Sequence, residues 1–391
     1  MGFILLFLDG MTIHSAFGFK FGNEHQSLSD QKKKELRTNL SCLKLLIIDE
    51  MSLLGSDMLY RIHVRLCEIF QNESLFGNIS VILVGDLMQL PPVKANYIFQ
   101  EPLRDTHLKA FHSVVNIFES FVPHILLHNH RQGESKLFAE TLNRIREGET
   151  SEDDIKLLES RITTEEFLDD DAMHIFYTNR EVNEHNDKML EKLEGSKVTM
   201  KAGKIVPKGY ESRESQNGTV DNTQFMKNLT LKIGARCVLV FNINVIDSLV
   251  NGSSGTVVGI ESKDGSPYCI IVKFDDENCG KEQRAKYPEL SKKYKEQNGT
   301  PIFKQDLEYQ VFSRKGYGHA ARAKVIQFPL KLFYASTAHK MQGQTIKAGS
   351  KVIIHWHKSM TNGMAYVMLG RCEKLEDIFI SGKDFRTTFD M

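Results

Sequence analysis

The sequence predicts an α/β fold of more than one domain, and three observations carry that reading. Short β-rich apolar runs recur along the chain, amphipathic helical segments separate them, and 391 residues is about twice the length of a common single domain. The runs are LKLLIID at 43–49, ISVILVGD at 79–86, HILLH at 124–128, HIFYTN at 174–179 and KVIIHW at 351–356. The first is apolar on both faces, as a central parallel strand is. After it, Met58, Leu59, Ile62, Leu66 and Ile69 fall on one helical face, with Ser56 placed as the N-cap. HIFYTN followed by 180–193 repeats the strand-then-helix order, so at least two α/β blocks are expected. From Leu231 the pattern changes. LKIGARCVLVFN, the turn-rich LVNGSSGTVVGI and YCIIVKF read as strands joined by Gly and Asn turns, a small β-barrel.

Composition narrows the classes. Hydrophobic residues at 41% and charged residues at 26% are ordinary globular values, which excludes a mainly disordered, collagen-like or disulfide-scaffold chain. Lys plus Arg equals Asp plus Glu at 50 each, so any nucleic-acid site must come from local segregation of charge. The cysteines at 42, 67, 237, 269, 279 and 372 form no CxxC pair, which fits a reducing compartment. The apolar opening Phe3 to Leu8 is too short to span a bilayer and lacks a basic flank, so no targeting or membrane segment is read there.

Two charged stretches stand out. Ten acidic residues lie between Glu149 and Asp171, most simply a solvated helix-and-loop surface. Lys281 to Lys324 holds eleven Lys or Arg against five acids, either a phosphate-tracking face or an extended solvated insertion.

The chemistry begins where LLIIDE ends in Asp49 and Glu50. Adjacent carboxylates at a strand end can hold one acid at a metal and the next beside a water, as in nucleotide hydrolases. GDLMQLPPV, at 85–93, again follows an apolar strand and again puts polar groups at its carboxyl edge, where α/β sheets bind ligands. Further blocks follow in order: GMTIHSAFGF at 10–19, NHRQ at 129–132, FYTNREVNEHN at 176–186, PLKLFYASTAHKMQGQTI at 329–346 and GMAYVMLGRCEKLEDIFI at 363–380. Together these resemble the superfamily 1 DNA helicases of the petite-integration-frequency (PIF) type, relatives of RecD and of Helitron helicases, over nearly the whole chain from Gly10.

The resemblance implies two RecA-like P-loop NTPase domains, the first incomplete, with a small SH3-like β-barrel inserted in the second. The expected spans are 1–128 and 129–230, then the barrel at 231–325, then the rest of the second domain at 326–391. It implies ATP and Mg²⁺ as cofactors, with Asp49 as the Mg²⁺-associated acid, Glu50 as general base and Gln89 beside the attacking water. Gln89 can donate and accept at once, which suits that place. Arg131 and Arg371 are the implied arginines reaching the γ-phosphate, a role for planar permanent charge. Gln342 and Gly343 belong to the block joining nucleotide and strand. Thr337, His339 and Lys340, with Thr12, His14, Ser15, Pro91 and Pro92, are the implied nucleic-acid contacts. Phe17, Phe19 and Phe21 alternate nearby, as base-stacking rings or as core.

The implied activity is ATP-driven 5′-to-3′ movement on single-stranded DNA with unwinding at duplex junctions, in DNA repair, recombination or telomere maintenance, in nucleus or mitochondrion and without a membrane. A hydrolysis-dead nucleic-acid-binding remnant and a RecD-like nuclease subunit are the alternatives. The departure from the family is the phosphate-cradling GxxxxGK[ST] loop, which these residues do not contain: the Gly-Lys pairs at Gly203, Gly280 and Gly382 are followed by Ile, Glu and Asp. The expectation is an N-terminally truncated chain. Gly370 stands before Arg371 where the family commonly has Ser, expected to loosen the backbone there.

Overall fold

A computed structural model of the chain describes residues 11–19, 28–101, 116–133, 135–163, 172–211, 215, 218–220, 223–313, 320–360, 363–382 and 385. The first lobe contains α1 (Ile13–Phe17), α2 (Asp30–Asn39), β1 (Leu45–Ile48), α3 (Ser56–Phe70) and β2 (Ser80–Leu83). β1 and β2 pair in parallel with Leu45 opposite Ser80 and Ile48 opposite Leu83. The apolar face of α3 buries Leu59, Ile62, Leu66 and Ile69 with Ile48, Leu36, Phe17 and Phe19 in one core. Phe17 and Phe19 are thus core, with Arg61 and Arg65 lying over the Phe19 ring. Phe21 lies outside the described residues.

Three sequence expectations are corrected here. The N-cap of α3 is Gly55, not Ser56, which is the first helical residue. A Cβ at Gly55 would meet that of Ala95 at 2.8 Å, so crowding selects glycine at the cap. β1 is covered on one face only, with Leu45 and Ile47 43% and 51% exposed. HILLH forms no strand, and Ile125, Leu126 and Leu127 are exposed. A strand needs a neighbour to complete its ladder, and none among the described residues supplies one.

The second lobe begins with α4 (Lys136–Glu147), α5 (Glu152–Glu159), β3 (Met173–Phe176) and α6 (Asn179–Lys192). Both α5 and α6 start in capping boxes, Ser151 with Asp154 and Thr178 with Glu181. Asp154, in the acidic run, is buried and bonded to Arg144, Thr141 and Ser151, so that run is not wholly a solvated surface.

The chain then leaves for a run of antiparallel strands: β4 (Val198–Lys201), β5 (Gly203–Ile205), β6 (Tyr210–Glu211), β7 (Asn228–Leu231), β8 (Arg236–Leu239), β9 (Ser254–Lys263) and β10 (Ser266–Phe274). After α7 (Lys281–Lys286) and α8 (Pro288–Lys293) come β11 (Thr300–Phe303), β12 (Gln305–Ser313), β13 (Ala320–Gln327) and β14 (Leu330–Leu332). They pair as β11-β10-β9-β8-β14, β5-β13-β12-β6 and β4-β7. These strands run from Val198 to Leu332, wider than the 231–325 expected, because β5 and β6 are the edge partners of β13 and β12. The basic stretch is built from α7, α8 and strands, and several of its cations are paired: Lys293 with Glu261, Lys324 with Asp306 and Arg322 with Glu308.

The chain returns with β15 (Ala335–Thr337), α9 (Ala338–Met341), β16 (Val352–His355), α10 (Met364–Leu369) and β17 (Ile378–Ser381). The second-lobe sheet is all parallel, in the order β15-β3-β16-β17. β3 and β15 are neighbours in space, so the antiparallel strands loop out between adjacent strands of this sheet. His174, His185 and His355 stack inside this lobe, with His174 Nδ1 2.8 Å from His355 Nε2. Trp356 is buried against Phe385, their rings 4.7 Å apart.

Candidate functional site

β1 delivers Asp49 and Glu50 to the carboxyl edge of its sheet. Glu50 takes the left-handed conformation, φ 56° and ψ 48°, and its backbone N–H donates to Asp49 Oδ1 at 2.8 Å. A residue with a side chain pays for this region of backbone space, and such strain collects at functional sites. At the end of β2, a Cβ on Gly85 (φ 148°) would lie 2.7 Å from the Met51 nitrogen, so glycine lets the two strand ends meet backbone to backbone. The following turn carries Gln89, whose Oε1 is buried without a hydrogen-bond partner. Pro91 and Pro92 come next, Pro92 buried behind Gly55.

The second lobe brings the cations. Arg131 donates through Nε to Thr345 Oγ1 at 3.0 Å and through Nη1 to the Gly370 carbonyl at 2.9 Å. Arg371 is 2% exposed and donates to the carbonyls of Val367 and Gln344. Burial, then the neighbouring Arg131 charge, pulls Arg371 down to about 10, with Glu50 opposing the shift. Burial also lowers Arg131, again opposed by Glu50 among others. Both guanidiniums therefore feel the charge of one carboxylate and remain charged at neutral pH. Gly370 has an ordinary φ of −70°, and a Cβ there would lie 2.9 Å from the Tyr366 carbonyl oxygen, so close packing rather than unusual backbone marks this glycine.

Gln342, at the end of α9, joins the lobes. Its Nε2 donates to Glu50 Oε2 at 2.7 Å and to Ser52 Oγ at 3.0 Å, while its Oε1 is buried without a partner. Gly343 follows with φ 78°, turning the chain away.

Sequence reasoning missed a second set of contacts across the same cleft. Asp86, of the GDLMQ run, pairs with Arg146 at 3.1 Å and accepts from the Tyr366 hydroxyl at 3.0 Å. Burial, then Asp86, raises that phenol to about 12, which keeps it a donor. A Cβ on Gly363 would lie 2.6 Å from the Met88 carbonyl oxygen, and Leu90, from the first lobe, is fully buried in the second lobe's core. All of these positions except Arg146 lie within the sequence blocks GDLMQLPPV and GMAYVMLGRCEKLEDIFI. Arg146, at the end of α4, carried no signal.

Of the expected nucleic-acid contacts, Thr337 is buried at the N-cap of α9, His339 is exposed, and Lys340 Nζ donates to Asn179 Oδ1 at 3.2 Å. Thr12 is exposed just before α1, and His14 on α1 packs edge-on to Phe19. The side chain of Ser15 lies outside the described residues. Asn186 accepts from the backbone N–H groups of Tyr334 and Ala335, a structural role.

The chain matches the model of PIF1-like helicases over residues 2–156. It is 29% identical to the ATP-dependent DNA helicase Pif1 of Campylobacter jejuni, across 93% of this chain and 77% of that protein. Family model, relatives and solved structures together support a PIF1-type superfamily 1 helicase. The Psychrobacter Pif1 is 28% identical over 96% of this chain, and the Emericella nidulans PIF1 26% over 93%. The chain spans 59% and 50% of those two relatives. Among solved structures, Pif1 from Candida albicans superposes with a TM-score of 0.71 at 23% identity, covering 97% of this chain and 81% of that one. Bacteroides Pif1, in a complex with ADP-AlF3 and ssDNA, gives 0.67 at 25% identity, covering 96% and 80%. Glu50 and Gln342 thus meet between two RecA-like lobes, with the Glu50 charge felt by Arg131 and Arg371 of the second.

Proposed function

We propose that the chain carries the motor core of an ATP-dependent DNA helicase which, once joined to a phosphate-cradling segment, moves 5′-to-3′ on single-stranded DNA and separates duplexes at junctions, using MgATP. The observation that carries this is the meeting of Glu50 with Gln342 across the cleft, beside two arginines from the second lobe. Bound MgATP supplies a phosphoanhydride whose hydrolysis changes the charge between the lobes. Asp49 would hold the metal. Among the described residues no group of three His, Cys, Asp or Glu side chains could hold an ion alone, and this suits Mg²⁺, which keeps waters and substrate phosphates as ligands. The unpartnered Gln89 Oε1 accepts from a water, Glu50 takes that water's proton, and Arg131 and Arg371 offer N–H groups to developing negative charge. Because the arginines and Gln342 belong to the lobe opposite Glu50, closing the cleft assembles the site and links nucleotide state to motion. The reading carries a reducing DNA compartment, nucleus or mitochondrion, in keeping with six free thiols.

The test supplies the phosphate-cradling segment from a relative and measures DNA-stimulated phosphate release. Glu50→Gln is expected to retain nucleotide binding and lower turnover at least ~10²-fold, the scale of a lost general base. Arg371→Ala is expected to cost roughly 10³-fold, as arginine fingers do. Turnover unchanged by Glu50→Gln would remove the site from this role.

A further inference from the structure

The turn that carries Gln89 is shaped from both sides of the cleft, and Arg146 takes part in it without a place in the hydrolytic mechanism. Asp86 opens the turn. Its Oδ1 accepts the Met88 backbone N–H at 3.0 Å, and its carbonyl accepts that of Gln89 at 3.0 Å. An aspartate bonded to the backbone two residues on fixes a turn from within. The same carboxylate then receives the second lobe. Arg146 Nε, in the last turn of α4, lies 3.2 Å from Oδ1 and 3.1 Å from Oδ2, and the Tyr366 hydroxyl on α10 donates to Oδ2 at 3.0 Å. Each oxygen thus meets two donors, which fills the acceptor capacity of an ionised carboxylate.

Packing fixes the other side of the turn. A Cβ at Gly363, just before α10, would lie 2.6 Å from the Met88 carbonyl oxygen and 2.8 Å from that of Gln89, so the start of α10 rests on the peptide groups on both sides of Gln89. Leu90 follows, fully buried in the second lobe's core. Between these two anchors the Gln89 Oε1 is buried without a hydrogen-bond partner. The ion pair itself is partly exposed, with the Arg146 side chain at 34% and that of Asp86 at 18%, and such pairs add little to stability. What it supplies is direction, because a guanidinium presents its N–H groups in a fixed plane to a charged acceptor. Arg371 stands five residues beyond Tyr366, so one short segment both touches Asp86 and carries the arginine that feels the Glu50 charge.

We propose that Arg146 and Tyr366 are positioning residues for Gln89. By gripping Asp86 from the second lobe they hold the turn in the shape that aims the Gln89 amide at the attacking water, and the water is placed only while the lobes are together. This role deepens the reading of the cleft as a site of ATP hydrolysis and rests on it.

Two measurements test it. In the full chain without nucleotide, hydrogen exchange followed by mass spectrometry across 86–90 reads the turn directly. Arg146→Gln is expected to speed exchange of the Met88 and Gln89 amides about 10-fold, since their acceptor residue loses its anchor. Arg146→Lys keeps the charge as a flexible point and is expected to recover part of the protection. Melting should stay close to wild type in both, and Tyr366→Phe, which removes one hydroxyl, serves as the second variant should Arg146→Gln not fold. In the chain joined to a phosphate-cradling segment, Arg146→Gln is expected to lower kcat for DNA-stimulated phosphate release roughly 10- to 10²-fold, the scale of an ångström-sized misplacement, with KM for MgATP within about 3-fold. Gln89→Ala should lower kcat as well, and adding Arg146→Gln to it should cost nothing more, because residues acting through one group are not additive. Losses that multiply in the double variant, or exchange across 86–90 that is unchanged in both Arg146→Gln and Tyr366→Phe, would overturn the positioning role and leave the hydrolytic reading standing. Turnover indifferent to Glu50→Gln and Gln89→Ala alike would overturn that reading and the positioning role with it.

Discussion

His355 shows how a single side chain ties the fold to pH. Burial, then His185, pulls its imidazole down to about 4 from the usual 6.5. The 2.8 Å contact with His174 needs one donor and one acceptor, so protonating both rings sets N–H against N–H. The folded value lies below the unfolded one, so the unfolded chain binds more protons in acid. The stability contribution is complete above about pH 6.5 and is lost as the pH falls from there towards 4, by up to ~3 kcal/mol. Urea unfolding at pH 7.5 and pH 5 measures it, and His355→Gln should flatten the difference. At this scale the sequence was readable for chemistry and mute for conformation. Asp49 and Glu50 stood out at a strand end, and Gln89, Arg131 and Arg371 through the resemblance of their blocks to the helicase family. The left-handed backbone of Glu50 and the burial of Thr337 depend on contacts with residues distant in the chain, which one-dimensional spacing does not encode.

Between elements, the turn after β2 does two things at once. Gln89 keeps a buried, unpartnered amide oxygen, while its neighbours Asp86 and Leu90 grip the second lobe. Leu90→Ala empties a fully buried position and is expected to cost 2–5 kcal/mol of unfolding free energy, the range for leucine truncation in a core. Asp86→Asn keeps the shape and removes the charge facing Arg146. Its expected result is a wider lobe separation in solution, read as a larger radius of gyration by small-angle scattering, with little change in each lobe's own melting. Equal radii would show that the Arg146 and Tyr366 contacts do not set closure. Strand-then-helix order was legible here because a period of two and a period of 3.6 leave different patterns. HILLH misled because an apolar run records only that a side chain is suited to a strand, and a strand exists only where a partner ladder does. The cross-cleft grip was invisible for the same reason, since Asp86 and Tyr366 are 280 positions apart.

At the scale of the whole molecule, Glu50 meets Gln342 near two arginines, yet these 391 residues contain no GxxxxGK[ST] sequence. Without backbone N–H groups and a lysine cradling them, the phosphates of a nucleotide meet Asp49 and Glu50 across a short distance, and Coulomb repulsion opposes binding. A polypeptide of these residues alone is therefore expected to release phosphate from MgATP negligibly, with or without DNA. Robust DNA-stimulated release abolished by Glu50→Gln would show that another segment holds the phosphates. The first lobe, the second lobe and the antiparallel strands each have their own apolar core, with Leu90 crossing from the first to the second and Leu190 of α6 packing into that of the strands. That separation gives Trp356, the sole tryptophan of the chain, an optical meaning. It sits in the second-lobe core against Phe385, so ultraviolet excitation selective for indole makes that lobe luminous and leaves the other two dark. A melt followed by its emission, beside one followed by backbone ellipticity, would show which part of the molecule lets go first without any label attached.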